Sequence, residues 1–229
     1  MNPHALDELL PDPLPATPMR LLADWLAEAA GRRLQPNPNA MVLATSTPDG
    51  HPSARVVLCK EVAIDEGYVV FYTNYQSHKG RELTANPRAA AVIHWDHLHR
   101  QIRIEGQVAQ APSEQSDAYF ASRPWQSRIG AWASAQSRPI ASREQLLAAV
   151  SQAEQRFGAP KSSATTGEVE VNIPRPPHWG GYRLWADAVE LWSEGSARVH
   201  DRARWARKLK ALGPGKFETQ PWTATRLQP

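Results

Sequence analysis

The chain is short of the residues that would define several large protein classes. A single cysteine, Cys59, stands among 229 residues, so neither an internal disulfide nor a cluster of thiolate metal ligands can form. That scarcity is expected of a protein kept in a reducing compartment. No apolar run extends more than a few residues before a charge or a proline interrupts it, which excludes a membrane-spanning helix. The first residues lack the basic-then-apolar pattern of a secretory leader, and a cytoplasmic location is the expectation. Also missing are a G-x-G-x-x-G after a strand, a Walker-type loop and a G-x-S-x-G elbow. The usual dinucleotide, nucleoside-triphosphate and serine-hydrolase frameworks therefore lose their support. No internal repeat is found. His94, His97 and His99 lie close together, but only Asp96 accompanies them, and no metal site is expected.

Charge is unevenly placed. The formal net charge of +3 hides a basic C-terminal end, where eight Lys and Arg from Arg198 onward face only Asp201 and Glu218. Such an end suits an anionic partner, and nucleic acid, a phosphorylated small molecule and plain solvent are the three candidates. Cys59 sits in the apolar run V-V-L-C and reads as a core residue.

Residues 1–17 are proline-rich, carry little apolar periodicity and read as an irregular arm; 18–229 read as one domain. Thr17 as cap and Pro18 in the first position predict a helix whose face is Leu21, Leu22, Trp25, Leu26 and Ala29, ending near Gly31. Strand-like runs follow at 40–47, 53–62, 68–74, 89–95 and 100–111. The turn-like gaps Pro48-Asp49-Gly50 and Asp65-Glu66-Gly67 make antiparallel hairpins of them. A helix start is predicted at Ser77, a second helix over 113–122, and a third over 142–157. The third opens on the capping pair Ser142 and Gln145, packs Leu146, Leu147, Val150 and Phe157, and stops at Gly158. The stretch 159–178 reads as a mobile loop, Gly180-Gly181 as a bend, and strands return at 181–185, 188–192, 197–205 and 223–227. Successive hairpins point to a barrel or sandwich, so the fold class is mainly β with peripheral helices (α+β).

Four local patterns could carry chemistry. Arg55 and Lys60 share a strand-like run, and strict alternation over five residues puts them on opposite faces unless a bulge intervenes. Ser77-His78-Lys79 offers a helix start to a phosphate, or else a solvated cap. Tyr119, Arg123 and Ser127 recur at spacings of four, a trio suited to phosphate oxygens if Pro124 leaves the helix whole, and otherwise a polar helix face. Arg198, His200, Arg202 and Arg204 occupy every second position, so a strand would array four cationic groups on one face between Trp192 and Trp205. Like charges packed in this way are unfavourable without an anion.

Taken in order, these patches resemble the pyridoxine (pyridoxamine) 5′-phosphate oxidase family, over most of the chain from the helix near Pro18 to the terminal R-L-Q-P. The strength lies in the colinearity of R-V-V-L-C-K, Y-T, H-K-G-R-E-L, R-Q-I-R-I-E-G, Q-S and R-V-H-D-R. The resemblance implies an FMN-binding split β-barrel assembled as a homodimer with flavin at the subunit interface. It implies FMN contacts from Arg55, Lys60, Tyr72, Thr73, His78, Lys79, Gln101, Gln136, Ser137, Trp192 and Arg202. Lys60, Tyr119, Arg123 and Ser127 would hold the substrate phosphate, and Arg198 and His200 would face the pyridine ring and the reacting carbon as the catalytic pair. The implied reaction is two-electron oxidation of pyridoxamine or pyridoxine 5′-phosphate at the 4′-carbon substituent to pyridoxal 5′-phosphate. Flavin takes the hydride and O2 reoxidises it, releasing H2O2. No nucleic-acid or membrane partner is implied.

Two departures from the family pattern carry expectations. His78 stands where the family commonly has arginine, so one positive charge near the flavin phosphate becomes pH-dependent. The N-terminal arm lacks the arginine-and-tyrosine segment that closes over substrate in typical members. A related oxidase of the phenazine-biosynthesis type, sharing the barrel and the K-G-R-E-L segment at 79–83, is the alternative reading. A non-catalytic flavin-binding protein and a nucleic-acid-binding module complete the set.

Overall fold

Alternation of apolar and polar side chains organises the computed structural model, which describes residues 9–160 and 171–229. The strands are β1 (Ala40–Ser46), β2 (Pro52–Leu58), β3 (Glu61–Ala63), β4 (Tyr68–Asn74), β5 (Arg88–Trp95), β6 (Arg100–Gln110), β7 (Trp179–Ser193), β8 (Asp201–Ala206), β9 (Leu209–Gly213), β10 (Lys216–Thr219) and β11 (Thr223–Leu227). The helices are α1 (Met19–Arg32), α2 (His78–Ala85), α3 (Ser113–Ala121), α4 (Trp125–Ala133) and α5 (Arg143–Phe157).

Nine strands form one antiparallel sheet in the order β11-β8-β7-β6-β5-β1-β2, with β4 on β7 and β3 on β4. The fifteen residues of β7 pair with β4 through their first half and with β8 through their second, while β6 runs along the other edge. A bulge between Glu105 and Gly106 bends β6. There a Cβ on Gly106 would stand 1.9 Å from the Trp185 carbonyl oxygen, so only glycine fits. The sheet curls into a half-barrel whose β2 and β4 face each other unpaired, and that seam is where the candidate site lies.

Inside the curl, Val69, Phe71, Ile93, Trp95, Ile102, Ile104, Leu184, Val189, Leu191 and Trp205 are buried, and α1 covers them with Leu22, Trp25 and Ala29. Each such side chain contributes about 1.5–3 kcal/mol by leaving water. Cys59 belongs to this core, and burial pushes its thiol pKa up to about 12, which makes it unreactive. A second cluster joins α3, α4 and α5 to Val171, Ile173 and Trp179. No helix among the described residues is long and apolar enough to cross a membrane.

Several expectations need correction. The helix starts at Met19 with Pro18 in the cap position, and it ends at Arg33 in the left-handed region rather than at Gly31. The run 53–62 breaks into β2 and β3 around Cys59 and Lys60, which frees Lys60 from the alternation that constrains Arg55. The two strands expected around 185 are one, β7, and Gly180 and Gly181 lie within it rather than in a bend. They are needed for close approach: a Cβ on Gly180 would meet the Tyr75 hydroxyl at 2.0 Å, and one on Gly181 the Tyr72 ring at 2.9 Å. Leu146 and Leu147 are exposed, and α5 buries Ala153 and Glu154 instead. The loop expected over 159–178 falls partly outside the described residues, but Val171 and Ile173 are packed. The β9–β10 hairpin was not expected.

The arm is less irregular than its prolines suggest. Leu10 is buried, its N–H donates to the Asp201 carboxylate at 2.7 Å, and Asp201 in turn pairs with Arg226. The Trp205 indole N–H donates to the Pro15 carbonyl at 2.8 Å. Residues 9–17 are thus fastened to β8 and β11, and residues 1–8 lie outside the described residues.

Candidate active site

At the seam between β2 and β4 lies a cavity of about 470 Å³. Eight residues expected from the sequence converge on it: Lys60, Tyr72, Thr73, Lys79, Tyr119, Arg123, Ser127 and Gln136. Val56, Val57, Leu58, Pro124 and Trp179 complete the wall.

One end is built to receive an anion. Ser77 caps α2 by accepting from the Gly80 N–H at 3.3 Å, and Lys79 is buried beside it. The Lys79 ammonium donates to Thr73 Oγ1 at 3.0 Å and to Gln136 Oε1 at 3.0 Å, both neutral acceptors. Burial, and then the neighbouring Arg55 charge, lower its pKa from 10.5 to about 8. Arg55 lies beneath, bonded to Thr45 Oγ1 at 2.5 Å, to Ser53 and to Glu82 Oε2 at 3.2 Å. Burial pushes the Glu82 carboxyl up, but hydrogen bonds from Thr45, Ser53 and His78 outweigh it and hold the pKa at about 2. His78 points to that carboxylate, Nε2 to Oε1 at 3.0 Å, and not into the cavity. Ser137, next to Gln136, is exposed with φ +67° and is not part of the wall.

A pH dependence follows from Lys79. The ammonium is needed to bind an anion, and it is lost as pH rises through about 8 in the free protein. Affinity for phosphate or a phosphorylated cofactor is expected to fall above about pH 8, steepening toward tenfold per unit. Fluorescence titration with FMN across this range checks it; an unchanged dissociation constant contradicts it.

Aromatic rings wall the other end. Tyr72 stacks on Tyr119 with centroids 3.8 Å apart and planes 16° off parallel, and Trp179 continues the stack 5.6 Å from Tyr72. The Arg123 guanidinium lies 4.6 Å from the Trp179 ring centre, and its Nη1 is buried without a hydrogen-bond partner. The expected helical alignment of Tyr119, Arg123 and Ser127 is corrected here. Pro124 divides the run into α3 and α4, yet the turn between them still brings all three to one cavity.

The remaining candidates gather elsewhere. Gln101 faces Trp192 across β6 and β7, and Trp192 faces Arg202 across β7 and β8. Arg202 donates to Glu190 Oε1 at 2.8 Å and to the Gln228 carbonyl at 3.0 Å. The His200 ring sits 4.7 Å from Trp192 and accepts from the Gly195 N–H at 3.3 Å. The four-cation strand expected here is corrected: only Arg202 and Arg204 are on β8. Ala197 and Arg198 have φ of 52° and 64°, and two successive left-handed residues turn the chain out of strand geometry. Arg198 is exposed in that turn. Trp179 at the start of β7 lines the cavity, whereas Trp192 is thirteen residues further along, roughly 40 Å of strand. The residues expected at one site therefore fall into two separate groups on one protomer.

Three contributors were not expected. Trp179 adjoins the Gly180-Gly181 pair, whose tightness was the available signal. Glu82 lies four residues after His78 in K-G-R-E-L, a helical pairing readable from spacing. Glu190 ties Arg103 at 3.0 Å and Arg202 at 2.8 Å, a cross-strand contact with no local signal. Among the described residues no group of three metal-ligating side chains is placed to hold an ion, and His99 pairs with Glu194 at 2.5 Å.

A curled antiparallel half-barrel with a cationic, aromatic-walled cavity at its seam is a split barrel. Residues 27–157 match the family model described as pyridoxamine 5′-phosphate oxidase, and residues 179–229 match the pyridoxine 5′-phosphate oxidase C-terminal dimerisation region. The chain belongs to the pyridoxine/pyridoxamine 5′-phosphate oxidase family, and it is an oxidoreductase of that family. A relative of that name from Rubrobacter xylanophilus is 47% identical over 213 residues, 93% of this chain and 87% of its own. Another from Paracoccus denitrificans is 49% identical over 193 residues, covering 83% and 81%. Among solved structures, PhzG from Burkholderia lata in complex with tetrahydrophenazine-1-carboxylic acid superposes with a TM-score of 0.82 at 34% identity, covering 98% of this chain and 100% of that one.

Proposed function

We propose that this protein is an FMN-dependent oxidase, active as a homodimer in the cytoplasm, that converts pyridoxamine 5′-phosphate, pyridoxine 5′-phosphate or both into pyridoxal 5′-phosphate. O2 accepts the electrons and H2O2 is released; with the amine substrate, water enters and ammonia leaves. The observation that carries the reading is a single cavity holding two buried or half-buried cations, Lys79 and Arg123, neither with a carboxylate partner among the described residues. A phosphomonoester carries roughly −1.5 to −2 charges near neutrality, and the cavity has a cationic place for each of two.

The residues present fit the cofactor. The Lys79 charge, opposed by burial and by the neighbouring Arg55, gains from an anion beside it, and the neutral side chains of Thr73 and Gln136 flank that place. In this reading Arg55, Lys60, Tyr72, Thr73, Lys79 and Gln136 hold FMN from one protomer, with His78 supporting Glu82 and Ser137 following Gln136, and Gln101, Trp192 and Arg202 hold it from a second copy. The separation of the two halves along β7 and the match of 179–229 to a dimerisation region support this assembly. FMN, when bound, supplies the two-electron acceptor. Lys60, Tyr119, Arg123 and Ser127 fix the substrate phosphate, which sets the 4′-carbon in register. Arg198 and His200 of the second copy orient the pyridine ring, Arg198 by its charge and His200 as a candidate for proton transfer.

The likeness to PhzG favours a second reading, an oxidase of phenazine-type substrates. Comparing pyridoxamine 5′-phosphate with its unphosphorylated form and with a tetrahydrophenazine carboxylate, each against an enzyme-free control, separates the two. Turnover restricted to the phosphate is the expected result. Equal turnover with and without phosphate, or turnover of the phenazine alone, overturns the reading.

A further inference from the structure

We propose that Trp179 is a positioning residue for the substrate phosphate, holding Arg123 in place by its ring face so that the guanidinium charge stays free for the incoming anion. The proposal rests on the oxidase reading above and names a determinant of its phosphate specificity.

The contrast among arginines carries the argument. Arg55 is held by Glu82 at 3.2 Å, Arg202 by Glu190 at 2.8 Å and Arg175 by Asp117 at 2.6 Å. A guanidinium held in that way has part of its charge offset by the carboxylate, which weakens its pull on a further anion. Arg123 is held differently. Its guanidinium lies 4.6 Å from the Trp179 ring centre and 5.6 Å from that of Phe120, with no ion pair among the described residues. An aromatic face attracts a cation through its quadrupole and adds no formal charge, and indole does so most strongly. The Arg123 Nη1 is buried and lacks an acceptor, a donor left over for something not of this chain.

Trp179 is itself rigid. It is 7% exposed, its carbonyl accepts from Arg175 Nη1 at 2.7 Å, and Phe120 packs edge-on at 5.1 Å. Its plane lies 5° from that of Tyr119, with Tyr72 in stacking contact with both. One side chain thus sets Arg123 and Tyr119, two of the four groups assigned to the phosphate, while the flavin end at Lys79 is held by other contacts.

The test uses FMN-loaded protein, with Trp179→Leu and Trp179→Phe made in the wild-type and Arg123→Ala backgrounds. Steady-state kinetics with pyridoxamine 5′-phosphate is combined with calorimetric binding of pyridoxal 5′-phosphate and with the FMN dissociation constant. Trp179→Leu is expected to raise KM and weaken phosphate-ligand binding about tenfold, with kcat and FMN affinity within about threefold. Trp179→Phe should recover most of the loss. In the Arg123→Ala background either substitution should add less than about threefold, because of the two groups it positions only Tyr119 remains. An equal loss in both backgrounds, or an FMN loss matching the KM change, overturns the proposal. If the leucine variant does not fold, the phenylalanine pair decides by the same comparison. Wild-type protein that neither binds nor turns over either phosphate overturns the oxidase reading and this proposal together, whereas active wild type with unaffected variants overturns this proposal alone.

Discussion

At substrate concentrations well below KM, Arg123→Ala and Arg198→Ala homodimers are each expected to be nearly inactive, and mixed dimers of the two are expected to regain about half of wild-type turnover. Arg123 lines the cavity and Arg198 sits in the turn after β7, and one protomer does not bring them together. Loss of a charge-assisted bond to phosphate costs about 1.5–3 kcal/mol, so Arg123→Ala should raise KM roughly tenfold to a hundredfold. Loss of a preorganised cation beside the reacting carbon should lower kcat on the order of 10²-fold or more, with flavin retained. In a twofold dimer with shared sites, each mixed dimer has one site with both arginines and one with neither. Random pairing makes about half the dimers mixed, which leaves about one site in four intact in the whole pool and about one in two in the mixed dimers themselves. Co-expression with two tags and assay of the doubly tagged fraction measures this. No recovery in that fraction contradicts a shared site, and loss of flavin from Arg198→Ala contradicts the role given to Arg198.

Lys79→Met is expected to weaken FMN binding between about tenfold and about a hundredfold while leaving the apoprotein at least as stable. The two effects have one cause. Burial depresses the Lys79 pKa from 10.5 to about 8, so the fold opposes this charge and flavin phosphate supplies the missing compensation. For a lysine whose folded pKa is lowered, the unfolded chain holds more protons between the two values. The stability penalty is thus full below about pH 8 and fades as pH rises toward 10.5. The methionine variant should have the higher apoprotein Tm at neutral pH, with the difference shrinking in alkali. Calorimetric melting with and without FMN reads both quantities. Unchanged FMN affinity contradicts the assignment of Lys79 to the cofactor.

The hairpins were legible because their signals are local. Alternation marks β6, a continuous apolar and aromatic run marks β4, and Gly50 and Gly67 adopt the positive φ that their turns require. The Tyr119, Arg123 and Ser127 trio was legible as a cluster but not as geometry, since the break at Pro124 replaces a straight helix with a corner. The C-terminal cations misled for the opposite reason. Their period of two is that of a strand, but the left-handed Ala197 and Arg198 and the contact of Gly195 against the Val199 carbonyl decide the local path. Trp179 and Glu190 act through partners distant in the chain, Tyr72, Tyr119 and Arg123 for one and Arg103 and Arg202 for the other, and local pattern cannot register such contacts.

The central claim is that this cavity and its counterpart on a second copy oxidise a vitamin B6 phosphate by way of FMN. Purified protein loaded with FMN, given pyridoxamine or pyridoxine 5′-phosphate in air, tests it most directly when pyridoxal 5′-phosphate and H2O2 are quantified together. The account predicts that the two products appear in equal amounts and only with FMN present. Protein that takes up no FMN, or that takes it up and forms neither product from either phosphate, would contradict it.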